Sequence, residues 1–218
     1  VEIGMPYSDP LADGPVIQSS SVQALKNGMS IQKLFQQLED YNQQKRLDEN
    51  KMPLILMGYL TPVMQYGIEK FCADAASVGI SGIILPDLPI QEYELEYKSI
   101  FEKNNLSFIF LITPETSLER IEKIDSLSTG FIYAVSSSSI TGGKANFDSQ
   151  KNYFQKLNEL NLKNEIVIGF GIKDRLSFLQ ANQYAAGAII GTAYIQTLSQ
   201  GKDVVSDTHL FINSILNE

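Results

Sequence analysis

The sequence predicts an α/β fold of the (β/α)8 barrel type, and three observations carry that expectation. Short β-rich runs recur along the chain, helical patterns separate them, and no long linker, internal repeat or low-complexity segment breaks the alternation. The 218 residues are 44% apolar and 19% charged, enough for one buried core, so residues 1–218 read as a single domain.

The strand-like runs are VEIGM (1–5), PLILM (53–57), GIILP (82–86), FIFLIT (108–113), FIYAVS (131–136), EIVIGF (165–170) and AAGAIIG (185–191). Several are apolar almost throughout, as expected of parallel strands covered on their outer face. Between them, SIQKLFQQLEDYNQQKR starts at a Ser30 N-cap and sets Ile31, Leu34, Phe35, Leu38 and Tyr41 along one helix face. SLERIEKIDSL starts at Ser117 and offers Leu118, Ile121 and Ile124 as a buried stripe, with Asp125 beside it. Seven strands do not close an eight-stranded barrel, and the first begins at residue 1. The chain is also shorter than the roughly 250 residues typical of the fold. The expectation is therefore a barrel lacking its first βα unit at the N-terminus, with two strand edges that something else must complete.

Composition removes several function classes. The net charge is −8 and no basic stripe is visible, so a nucleic-acid partner is not expected. The apolar runs are too short for a transmembrane helix, and no signal-peptide pattern opens the chain. The single cysteine, Cys72, forms no internal disulfide and suits a reducing cytosol, so the expected location is cytoplasmic. Within IEKFCADAASVG it reads as a small buried hydrophobe. His209 is the only histidine and reads as structural within HLFINSILNE. One His and one Cys exclude zinc sites of the His/Cys type and Ser-His-Asp chemistry, so no metal site is expected. Acid–base work falls to carboxylates, Lys or Tyr.

Two carboxylate-bearing stretches stand out at the start. Glu2 lies among Val1, Ile3 and Met5. It is either a surface residue on a terminal strand or, if buried, a carboxylate with a raised pKa able to shuttle a proton. PYSDPLADGP follows, stiffened by Pro6, Pro10 and Pro15. Its Asp9 and Asp13 are either turn-formers or partners of Glu2 across a small substrate. Near the other end, GFGIKDR places Gly169 and Gly171, and AAGAIIGTAYI places Gly187, Gly191 and Thr192, at a strand end before a helix. Glycines there let backbone N–H groups approach an anion. With one strand missing in front, these become strands seven and eight, the recurrent phosphate site of barrels. Such donors are neutral, so the charge of −8 is no obstacle. SSSSITGGKA (136–145) is either a connection or a mobile lid.

Taken together, EIGMPYSDPLADGPVIQ from Glu2 to Gln18 resembles the signature of the tryptophan synthase α subunit. LMGYLTPVMQYG, GIILPDLPIQE, FLITPETSLERI, FIYAVSSSSITGGKA, IGFGIKD and GAIIGTAYI follow in that family's order. The family's N-terminal segment, with its first barrel strand, has no counterpart here. The resemblance implies retro-aldol cleavage of indole-3-glycerol phosphate to indole and glyceraldehyde 3-phosphate, with no metal or organic cofactor in this subunit. It places the catalytic glutamate on Glu2, the proton shuttle, and the catalytic aspartate on Asp13, which holds the indole N–H. Tyr133 and Phe170 match positions lining the indole pocket, and Tyr59 matches a nearby tyrosine. Gly142, Gly171, Gly191 and Thr192 match the phosphate-binding loops, and Thr141 the lid threonine. Ser137 and Ser139 depart from the arginine and glycine that some members carry, which bears on how the lid closes. The resemblance also implies an αββα complex in which a pyridoxal phosphate-binding β subunit receives the indole, with the loop around Asp9 and Pro10 as a contact surface. Three rivals remain. Another phosphate-binding barrel enzyme of the pathway would share the glycines but not EIGMPYSDPLADGP. A stand-alone lyase would release indole without a partner. A non-catalytic barrel would bind and activate the β subunit.

Overall fold

The computed structural model describes residues 1–10, 13–44, 52–135, 147–169 and 171–217. The chain forms two compact units, one of Val1–Leu11, Ser20–Phe110 and Leu127–Gly130, the other of Ala12–Ser19, Leu111–Ser126 and Phe131–Glu218. Each holds a four-stranded parallel sheet with strands in sequence order. Strands alternate with helices, except that the fourth and fifth strands follow one another directly, and the order is that of the (β/α)8 class.

In the first unit β1 (Glu2–Gly4), β2 (Leu54–Met57), β3 (Ile80–Ile84) and β4 (Ser107–Phe108) pair side by side. The register aligns Ile3 with Leu56, Leu56 with Ile83 and Ile83 with Phe108. Side chains alternate across a strand, so these four share a face, and the last three have no exposed surface. Glu2, Ile55, Gly82 and Ser107 share the opposite face. The connecting helices are α1 (Pro15–Lys26), whose residues up to Ser19 belong to the second unit, α2 (Ile31–Gln44), α3 (Leu60–Tyr66) and α4 (Ile68–Ser77). After β3 come α5 (Ile90–Glu92), a π-helical turn (Tyr93–Tyr97) and α6 (Lys98–Lys103). Phe71 and Cys72 of α4 are fully buried, as expected for the cysteine. Phe108 anchors an aromatic cluster, its ring centroid 4.4 Å from Tyr93, 5.1 Å from Phe101 and 4.7 Å from Phe110.

The Ser30 cap is present, with the Lys33 N–H donating to its Oγ at 3.2 Å. Leu34, Phe35 and Leu38 of α2 are buried, but Tyr41 is 47% exposed, contrary to expectation. Asn42 takes the inner position of that last turn instead, four residues after Leu38 and seven after Phe35. Its Nδ2 donates to the Val78 carbonyl at 2.6 Å, which ties α2 to the end of α4.

In the second unit β5 (Leu111–Ile112), β6 (Phe131–Val135), β7 (Glu165–Gly169) and β8 (Gly187–Ile189) pair in parallel. With them go α7 (Leu118–Leu127), α8 (Phe147–Glu159), α9 (Arg175–Ala181), α10 (Thr192–Gln200) and α11 (Val204–Leu216). FIFLIT, read as one strand, is two: Ile109 still bonds to Ile83 through its N–H, and Leu111 pairs with Tyr133 in the other sheet. The eighth strand is thus a division of the fourth apolar run, not an additional strand–helix unit.

Ser117 caps α7 as expected, accepting from the Arg120 N–H at 3.3 Å. Ile121 and Ile124 are buried, but Leu118 is 60% exposed. Steps of three fall short of the 3.6-residue turn, so Leu118 lies well off the arc centred on Ile124. Leu127 completes the buried face instead. Asp125 fastens the start of β7. Its carboxylate accepts from the backbone N–H groups of Lys163 at 2.8 Å and Asn164 at 2.9 Å, and from Asn164 Nδ2 at 2.9 Å. His209 lies exposed on α11. No helix among the described residues is long and apolar enough to cross a membrane.

Candidate active site

The expected site residues fall in both units. In the first, Glu2 sits on β1 with its side chain exposed. The buried-carboxylate alternative is therefore not the arrangement found. Gly4, two residues on and facing the same way, has open space where a Cβ would stand, among the described residues. Past Gly4, Met5 continues the pairing by donating its N–H to Met57 O at 2.7 Å. The Met5 side chain fills the space beside Gly58, where a Cβ would come within 2.6 Å of its Cε. Glycine at 58 therefore lets the end of β1 close onto β2.

Tyr59 follows as the N-cap of α3 and is only 8% exposed. Its ring lies 5.3 Å from that of Tyr7, tilted by 33°. Tyr7 opens the loop that carries Ser8, Asp9 and Pro10. Asp9 is exposed and its Oδ2 accepts from Ser8 Oγ at 2.5 Å. Pro10 is half-buried. Tyr59 and the loop toward Asp9 are thus brought together by an aromatic contact.

In the second unit Asp13 stands at the mouth of α1. Its carbonyl accepts from Gln18 Nε2 at 2.8 Å, and the Gly14 carbonyl accepts from the Gln18 N–H at 3.0 Å. Pro15 occupies the first helical position, where its missing N–H costs nothing. Ile17 of the same turn reaches Gly191, its Cδ1 4.0 Å from where a Cβ there would stand. The start of α1 and the start of α10 are therefore neighbours.

Tyr133 on β6 is buried, and its phenol crosses Gly169 at the end of β7. A Cβ at 169 would lie 2.2 Å from Tyr133 Oη and 2.3 Å from its Cζ. Gly169 thus makes room for the ring, a reason the sequence had not supplied. Gly171 has φ +80°, a conformation that favours glycine.

The two helix starts behind these strands differ in character. That of α9 is already filled by Asp174, whose carboxylate accepts from Ser177 Oγ at 2.6 Å and Ser177 N–H at 2.9 Å. These bonds hold its pKa below the usual carboxylate range. At α10 the cap residue is Gly191, which has no side chain to offer, and Thr192 is exposed beside it. An incoming anion therefore finds a helix start with no side-chain cap at α10 and a carboxylate at α9.

Thr141, Gly142 and Phe170, and the whole SSSSITGGKA stretch, lie outside the described residues. No group of three or more His, Cys, Asp or Glu suited to a metal ion occurs among the described residues. Asp87 was not among the expected site residues, and its two carboxylate oxygens accept from the Leu60 N–H at 2.9 and 3.0 Å. The signal was available. LPDLP after β3 sets an aspartate among prolines at a strand end, as SDPLADGP does after β1.

The family model described as tryptophan synthase alpha chain matches residues 1–213. The tryptophan synthase alpha chain of Flavobacterium psychrophilum is 52% identical over 216 residues, covering 99% of this chain and 83% of that protein. That of Flavobacterium johnsoniae is 55% identical over 201 residues, covering 92% of this chain and 78% of that protein. A crystal structure of the tryptophan synthase complex from Pyrococcus furiosus superposes with a TM-score of 0.85 at 28% identity, covering 99% of this chain and 85% of that one. By sequence along almost its full length and by fold, the chain belongs to the tryptophan synthase alpha chain family.

Proposed function

We propose that this chain is a carbon–carbon lyase that cleaves indole-3-glycerol phosphate to indole and glyceraldehyde 3-phosphate, and that it passes the indole to a β subunit for tryptophan synthesis. The observation that carries this reading is the intact stretch EIGMPYSDPLADGP in a member of this family, with Glu2 on β1 and Asp13 at the mouth of the next helix.

The chemistry needs two proton movements and one place for charge. A proton is added to the indole ring carbon that bears the glycerol chain, which leaves positive charge on the ring nitrogen. Loss of the proton from the adjacent side-chain hydroxyl then drives the carbon–carbon bond electrons into the ring and releases the aldehyde. Glu2 serves as the acid and assists removal of the hydroxyl proton. Asp13 accepts a hydrogen bond from the indole N–H and stabilises the developing positive charge. Tyr59, Tyr133 and Phe170 line the ring. Gly142, Gly171, Gly191 and Thr192 hold the phosphate, with the start of α10, which has no side-chain cap, offering backbone N–H donors. Thr141 closes the lid over the substrate. No cofactor is needed in this subunit. Pyridoxal phosphate belongs to the β subunit, which meets this chain at Asp9 and Pro10 in an αββα assembly.

The test is indole release from indole-3-glycerol phosphate, with and without a β subunit. Activity should rise with the partner, and Glu2→Gln and Asp13→Asn should each abolish it while the fold and β-subunit binding persist. Unchanged activity in both variants overturns the assigned roles. Activity that ignores the partner points to a free-standing indole-releasing lyase.

A further inference from the structure

Asp87 does something for α3 that its own cap residue does not. A helix start leaves its first N–H groups without partners, and a Ser, Thr, Asp or Asn at the N-cap ordinarily supplies an acceptor. In α3 the N-cap is Tyr59, in extended conformation (φ −121°, ψ 151°), with no capping bond from its side chain. The acceptor comes from a different loop. Both Asp87 oxygens lie within 3.0 Å of the Leu60 nitrogen, the first N–H of the helix. A carboxylate there also suits the positive end of the helix dipole.

The bond acts on the peptide that joins Tyr59 to Leu60, so it fixes the direction in which Tyr59 leaves the strand. A second tie, from the Gly58 N–H to Ile84 O at 3.1 Å, joins the residue before Tyr59 to the end of β3, just ahead of the Asp87 loop. The Tyr59 ring, so directed, packs on Tyr7 at 5.3 Å. Asp87 is itself exposed, so its burial contributes nothing to the core. Position 59 is given to an aromatic ring, and the capping duty is moved to the neighbouring loop.

We propose that Asp87 is a positioning residue for substrate binding, acting through the Tyr59 backbone to set the aromatic wall formed by Tyr59 and Tyr7. This rests on the proposed function, since Tyr59 must face the indole ring for its placement to matter. A merely structural cap would behave differently. Its loss would reduce the folded fraction and hence apparent kcat, leaving KM untouched.

The experiment is a double-mutant cycle on Asp87→Ala and Tyr59→Ala, with Asp87→Asn as the conservative variant, assayed by indole release in the presence of the β subunit. Asp87→Ala should lower kcat/KM about tenfold, most of it as a rise in KM, the scale expected when a hydrogen bond to a charged group is lost. Asp87→Asn keeps one carbonyl acceptor and should recover most of the loss. In the Tyr59→Ala background Asp87→Ala should cost less than about twofold, because the two act as a unit. An equal cost in both backgrounds, or a fall confined to kcat with KM unchanged, overturns the inference while leaving the proposed function intact. An unsubstituted chain that releases no indole overturns the proposed function and this inference with it.

Discussion

Gly169 shows how one position is dictated by another far away in sequence. Any side chain there meets the Tyr133 phenol, with the first atom 2.2 Å from Oη. Gly169→Ala must push a buried ring out of its rotamer, an overpacking cost of about 1–3 kcal/mol, read as a lower denaturant midpoint in urea. Because Tyr133 is proposed to line the indole pocket, KM should rise in the same variant. An unchanged midpoint would mean that the ring relaxes freely. In the sequence, Gly169 and Gly171 read as one glycine pair with one purpose. They have two, because the clash at 169 comes from β6, which no spacing rule within GFGIKDR could reveal. Glu2 teaches the converse. Its residue type and neighbours were legible, but its exposure is set by the folded sheet rather than by the pattern of the run.

Among the elements, β4 and its aromatic cluster should be the most sensitive. Phe108 stacks on Tyr93 and meets Phe101 and Phe110 edge-on, with no exposed surface of its own. Phe108→Ala should cost about 3–5 kcal/mol, measured by chemical denaturation. The Asp125 clamp on β7 predicts a pH effect. Burial alone would raise that carboxyl, but the N–H groups of Lys163 and Asn164 and the Asn164 amide outweigh it and hold its pKa below the usual range. A carboxylate depressed in the folded state contributes stability that is complete above its unfolded pKa and is lost as pH falls through the folded one. Asp125→Ala should therefore destabilise by about 1–2 kcal/mol at neutral pH and progressively less in acid, seen as converging melting curves. The order of strands and helices was readable from periodicity, and the caps at Ser30 and Ser117 from residue type. Tyr41 and Leu118 were not, because a run of apolar residues spaced by three drifts around a helix, and only the opposing surface decides which end of the drift is covered. FIFLIT was likewise one apolar run to the eye, since nothing in its composition marks where the chain leaves one sheet for the other.

For the molecule as a whole, charge and stability pull together at low pH. Asp74 is held low by Lys70 and then Tyr66, Asp174 by Ser177, and Asp203 by Ser206, and Asp125 is depressed as well. As pH falls, the unfolded state takes up protons before these groups do, so stability declines. The isoelectric point near 4.7 lies in the same acid range, where net charge vanishes and solubility is least. Acidification toward that point should lower the melting temperature and bring on precipitation together, and neutral pH should restore both. At this scale the family was legible in long stretches such as EIGMPYSDPLADGPVIQ. The bond from Asp87 to the start of α3 was not, because it joins two loops that sequence alone keeps apart.

Cys72 is the chain's one thiol, it has no exposed surface, and burial pushes its pKa up to about 12. Alkylating reagents attack the thiolate, so in the closed protein this side chain is both unreachable and in the wrong ionisation state. Its labelling must wait for α4 to lift from the sheet it covers. The rate of single-site labelling is therefore a clock for that opening, one that needs no introduced probe, and it should run faster in any variant that loosens the first sheet.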